Sequence, residues 1–152
     1  MTPSVLSARI VAARLAWVRT MLARLRALPL ETADVFVADA RTPAAAESYL
    51  RRCLEALLDL GRHILAKGFT VSAAEYKEVA VRLAEVGVID DADRQVLARL
   101  AGYRNRLVHF YDEISERELY EICTTQLGDI EQVTRVIADW TERHPERFDH
   151  RL

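Results

Sequence analysis

Residues 4–29, SVLSARIVAARLAWVRTMLARLRALP, decide the fold class. Val11, Leu15, Val18, Leu22 and Leu25 recur in alternating steps of four and three. That spacing lines one stripe of a helix and makes a narrow bundle seam. Trp17 and Met21 widen the stripe on one flank. The spacing predicts a helix from Ser4 to Leu28, ended by Pro29, which cannot continue it.

The same reading extends along the chain. A short helix is expected within residues 31–40, around Val35, Phe36 and Val37. Thr42 and Pro43 pair an N-cap hydroxyl with a proline at the first helical position. The helix they start carries Leu50, Leu54, Leu57, Ile64 and Leu65, and Gly68 is placed to cap it. Ser72 to Glu75 reads as a capping box, followed by Tyr76, Val79, Leu83 and Val86, with Gly87 closing that helix. Asp90 or Asp91 opens the next, with Val96, Leu100, Tyr103 and Leu107 along one face. Ser115 to Glu118 is a second capping box. The last helix is expected to run unbroken through Leu119, Ile122, Leu127, Ile130, Val133 and Ile137.

Short connections make neighbouring helices antiparallel. The expectation is therefore an all-α, up-and-down bundle of four to five helices. It forms one domain over residues 1–143, with a polar, loose tail over 144–152. Composition agrees: 51% of the residues are hydrophobic, 29% are charged, and Gly and Pro are scarce. This favours helices over sheet in a globular chain. Arginines spread through the first helix rule out a signal peptide or membrane span there. A net charge of -2 argues against binding nucleic acid by bulk electrostatics. If RNA is a ligand, the positive charge must be local, as around Arg104 and Arg106. Cys53 and Cys123 each fall in an apolar helical pattern, as reduced core thiols do. No Cys/His spacing suits zinc, and no phosphate loop or nucleophile elbow is present.

Chemistry concentrates in Tyr103-Arg104-Asn105-Arg106-Leu107-Val108-His109-Phe110-Tyr111. Arg carries a fixed charge suited to phosphate, and His exchanges protons near neutral pH. On a straight helix, residues five apart point roughly 140° from each other. Arg104 and His109 can therefore share a phosphate only across a groove, at a helix end or bend, or with a second subunit's help. Asp112 to Ser115 leads into the next N-cap, which places the helix end near His109 to Tyr111. Asn105 and His109, four apart, share a face. The same residues also suit a purely structural role. Arg104 and Arg106 can pair with acidic groups on the next helix, His109 can sit satisfied in the core, and Tyr111 can cap the bundle. Outside this segment, His63 suits a helix C-terminus as a protonated imidazole. His144 and His150 read as solvated, and Arg51 and Arg52 as a solvated face.

Arg104, His109 and Tyr111 match the Arg, any four, His, any one, Tyr signature of the HEPN superfamily. The chain resembles the HepT-like ribonuclease toxins of prokaryotic toxin–antitoxin pairs. The likeness runs from Ile10 to Trp140. It includes the helix around Tyr76, the Gly87-Val88-Ile89 turn, and the stretch from Tyr120 to Leu127. The resemblance implies a homodimerising bundle and a metal-independent, cytoplasmic endoribonuclease that needs no cofactor. It implies that Arg104, Asn105 and His109 are catalytic and that Tyr111 accepts AMP. The AMP comes from a nucleotidyltransferase antitoxin, in a type VII-like system. The alternative it leaves open is a non-catalytic subunit that binds nucleotide or substrate for a nucleotidyltransferase.

Overall fold

A computed structural model describes residues 5–109 and 114–151. Among these, seven α-helices account for nearly all regular structure. The order is β1 (Leu6–Ser7), α1 (Ala8–Arg26), α2 (Ala33–Ala38), α3 (Arg41–Phe69), α4 (Tyr76–Glu85), α5 (Asp91–Val108), α6 (Glu116–Thr125), α7 (Leu127–Arg143), a 3-10 turn (Pro145–Arg147) and β2 (Phe148–Asp149).

The whole expected seam of α1 is buried, together with Met21. It packs mainly against α3. Trp17 is instead 41% exposed, so it does not widen the core. α3 is the central element. It buries Cys53, Leu54, Leu57, Leu58, Leu60, Gly61, Ile64 and Leu65, a surface wider than one helical stripe, and meets α1, α4, α5 and α6. Phe36 from α2 is fully buried and lies 5.5 Å from Tyr120 of α6. α5 buries Leu97, Leu100 and Ala101, with Val96, Tyr103 and Leu107 packed half-buried against them.

Caps legible in the sequence form at two helix starts. Asp90 accepts from the Asp93 N–H at 2.8 Å, and Ser115 accepts from the Glu118 N–H at 3.1 Å. Such caps each contribute about 1 kcal/mol. Gly87 closes α4 with φ +84, a left-handed conformation that suits glycine.

Other ends differ from expectation. α3 starts at Arg41, ahead of Thr42, with no side-chain cap at its N-cap Ala40; Asp39 Oδ1 accepts from the Arg41 N–H at 3.0 Å. α4 starts at Tyr76, and neither Ser72 nor Glu75 supplies a side-chain cap. Gly68 stays inside α3, and Thr70 takes the left-handed turn at φ 56. Gly68 lies close under Leu6: a Cβ there would be 3.1 Å from Leu6 Cδ1, a tight contact.

The last helix is not continuous. It breaks at Gln126, which ends α6 and starts α7. Thr124 and Thr125 turn their hydroxyls back onto α6 carbonyls, a habit that loosens helices. Arg99 of α5 fastens the break, donating to Gln126 Oε1 at 3.1 Å and to Asp129 Oδ2 at 2.6 Å.

The tail expected to be loose folds back. β2 pairs in parallel with β1, Leu6 opposite Phe148. His144 stacks on Trp140 at 4.9 Å, and its Nδ1 lies 2.8 Å from the Trp140 carbonyl. Arg147 donates to the Gly68 carbonyl at 3.0 Å and lies over the Phe69 ring. Aromatic contact, invisible to a polarity reading, holds this segment.

Candidate functional site

α5 stops at Val108, and His109 is its C-cap in an extended conformation, φ -105 and ψ 114. Leaving the helix frees His109 from the angular constraint that separates residues five apart. Arg104, Asn105 and His109 consequently line one groove of about 440 Å³. Arg62, Ala74, Glu75 and Tyr76 complete its wall. Tyr111 lies outside the described residues.

Arg104 is half-buried and firmly surrounded. Its guanidinium carbon lies 4.5 Å from the centre of the Tyr76 ring. Cation–π contacts of this kind contribute roughly 0.5–2 kcal/mol. Arg104 Nη1 approaches Asn105 Oδ1 at 3.4 Å. Its Nε is 3.6 Å from Glu55 Oε1, too far for a hydrogen bond, and has no other hydrogen-bond partner. Glu55 is also paired with Arg51 at 3.2 Å, so Arg51 is not simply solvated.

Tyr76 anchors the wall. Its hydroxyl donates to Asp59 Oδ1 at 2.8 Å. Burial, then the Asp59 contact, push its phenol pKa up against the opposing pull of Arg104 and Arg62. It therefore remains a neutral phenol at physiological pH. Arg62 lies over the same ring at 4.7 Å.

Arg106 faces another way. Residues two apart on a helix differ by roughly 200°. Arg106 meets Glu118 of α6 in a bidentate pair at 2.6 and 2.8 Å. That pairing holds the Glu118 carboxyl below its usual pKa. The expectation that an arginine of the segment pairs with the following helix holds for Arg106, whereas Arg104 turns back to α3 and α4.

The sequence reading missed Arg62 and Tyr76. They lie far from the motif in sequence and reach it only through packing of α3, α4 and α5. Local periodicity marks Tyr76 only as part of its helix's apolar face and does not mark Arg62 at all.

His63 also differs from expectation. Burial first, then Arg14 and Lys67, lower its pKa, and its Nε2 is buried without a hydrogen-bond partner. Burial, with those two cations adding to it, favours the neutral imidazole over the protonated one expected. Cys53 and Cys123 are free and buried, as expected, and burial pushes both thiols up to about 12. No helix among the described residues is long and apolar enough to cross a membrane.

An all-α bundle with an Arg–Asn–His groove at the end of one helix is thus the class that fold and site define. The chain belongs to the ribonuclease HepT-like family, whose profile matches residues 18–137. Solved structures share the fold. A tri-AMPylated Shewanella oneidensis HEPN toxin in complex with MNT antitoxin aligns with TM-score 0.77 at 23% identity, covering 86% of this chain and 97% of that one. A toxin–antitoxin complex with AMP-PNP aligns at TM-score 0.73 and 22% identity, covering 84% and 97%. The Bacillus subtilis cytosolic protein YutE, of unknown function, aligns at TM-score 0.76 and 17% identity, covering 92% and 94%. No curated protein sequence matches the chain.

Proposed function

We propose that this protein is the toxin of a HEPN/nucleotidyltransferase pair, a metal-independent endoribonuclease acting in the cytoplasm. One observation carries the reading: Arg104, Asn105 and His109 line a single groove in a chain of the HepT-like family.

RNA supplies its own nucleophile. His109 takes the proton of a ribose 2′-hydroxyl, or gives one to the departing 5′-oxygen. The 2′-oxygen attacks phosphorus and the bond to the 5′-oxygen breaks. The products are a 2′,3′-cyclic phosphate and a 5′-hydroxyl. Arg104 stabilises the charge that builds on the phosphate, and its bracing by Tyr76 sets it in place beforehand. Asn105 orients the phosphate or His109, whereas the charge of Arg106 is met by Glu118. Two copies of the chain bring two such segments to one cleft.

Tyr111 is the acceptor of AMP from a nucleotidyltransferase antitoxin. Adenylylation sets a phosphate charge and a bulky base beside His109, which excludes RNA. The AMPylated state of the Shewanella toxin and its MNT partner support this reading.

The test is cleavage of total cellular RNA by purified protein in EDTA, with intact mass confirming that Tyr111 is unmodified. Wild type should leave cyclic-phosphate ends, and His109→Ala should lose roughly 100-fold or more in rate. Intact RNA, from a folded and unmodified wild type, would overturn the ribonuclease reading. It would favour instead a non-catalytic subunit that binds a nucleotidyltransferase.

A further inference from the structure

We infer that Arg62 of α3 is a second backbone ligand in this groove, holding a phosphate next to the one held by Arg104. The inference rests on the ribonuclease reading and extends it to how the strand is gripped.

Arg62 and Arg104 come from different helices, yet both line the groove. Both guanidinium carbons lie within 4.7 Å of the Tyr76 ring centre. A single rigid aromatic therefore braces two fixed charges. The Tyr76 hydroxyl is itself tied to Asp59, so the platform is fastened to the same helix that carries Arg62.

Neither guanidinium is saturated by the protein. The Nε atoms of Arg62 and Arg104 are both buried without a hydrogen-bond partner. Arg62 donates once, to the Ala74 carbonyl at 3.2 Å, and its carboxylate neighbour Asp59 stands at 3.7 Å. Desolvated N–H groups left unpaired are costly. Arginine presents five donors in a plane suited to phosphate oxygens. Asp59 and Glu55, the acidic neighbours of the two arginines, do not line the groove, whereas Glu75 does. The groove wall thus offers two braced guanidiniums beside one carboxylate, Glu75. A chain of phosphates, with one group for each guanidinium, answers that arrangement.

The salt dependence of binding counts such contacts. Each phosphate neutralised on a single strand contributes about 0.7 to the slope of log affinity against log salt. The experiment uses a mixed-sequence, fluorescein-labelled single-stranded RNA and the His109→Ala protein, so that RNA is not consumed. Arg62→Gln added to that background should lower the slope by about 0.7. Arg62→Lys, which keeps the charge, should retain it, and circular dichroism should show both variants folded. An unchanged slope in Arg62→Gln, or an equal loss in both variants, overturns the inference while leaving the ribonuclease reading intact. Absence of any RNA binding by the His109→Ala parent overturns both.

Discussion

Gly61 and Val79 bring α3 and α4 into contact that only glycine permits. A Cβ at position 61 would lie 2.7 Å from Val79 Cγ1 and 2.9 Å from Leu83 Cδ1. Gly61→Ala forces those side chains, or α4 itself, outward. Gly61 is helical, so alanine regains some backbone entropy, but overpacking a filled core costs about 1–3 kcal/mol. The net expectation is a lower urea midpoint. Because Tyr76 begins α4, RNA cleavage should fall as well, with the groove displaced. A variant as stable as wild type would show that the contact is soft.

The Arg106–Glu118 pair gives a second expectation. Each side chain is about one-third exposed, 36% and 35%, so solvent screens the interaction. A double-mutant cycle with Arg106→Gln and Glu118→Gln should return a coupling of about 1 kcal/mol or less. The lowered Glu118 pKa sets the direction with pH. The stabilisation is present above the unfolded carboxylate pKa and is lost as pH falls through the folded one. The coupling should vanish in acid.

His63 works in the same direction by a different cause. Its folded pKa lies below the ordinary 6.5, so the unfolded chain takes up its proton first. Stability from this group is present above that value and is lost as pH falls below it. Chemical denaturation from about pH 7 to about pH 5 should show a gentler decline in His63→Gln than in wild type. Equal slopes would show that another group governs the loss.

Cys53 and Cys123 should be silent in the folded protein. Burial pushes both thiols up to about 12, and only the thiolate reacts. Iodoacetamide at neutral pH should label neither in native buffer and both in denaturant, as read by intact mass. Native labelling at a rate above global unfolding would reveal local opening.

Local chemistry made much of this molecule legible. The α1 seam, the Asp90 and Ser115 caps and the Gly87 turn depend on neighbours within a few residues, so the sequence alone carries them. Errors arose where distant groups compete with a local signal. The start of α3 is a local exception, where Asp39 meets the Arg41 N–H and the helix begins ahead of Thr42. Gly68 packs under Leu6 inside the helix, and Thr70 makes the turn. Arg99 secures a break at Gln126 that apolar periodicity runs straight through. The site divides the same way. Its motif positions Arg104, Asn105 and His109 stand in one short stretch. Arg62 and Tyr76 join them only through helix packing. Which arginine of the motif enters the groove was settled by Glu118 and Tyr76, both outside it.

The pairing of Leu6 with Phe148 bears on how the molecule assembles. Joining these strands brings together residues 6 and 148, 142 positions apart in the chain. The entropy of such closure must be met after local helices have already docked. The clasp is therefore expected to form late and to add little to the folding nucleus. Its energy should then act chiefly on the rate of opening, which faster unfolding of a Leu6→Ala variant than of wild type would show. A few residues of strand thus serve as a latch on the lifetime of the native state.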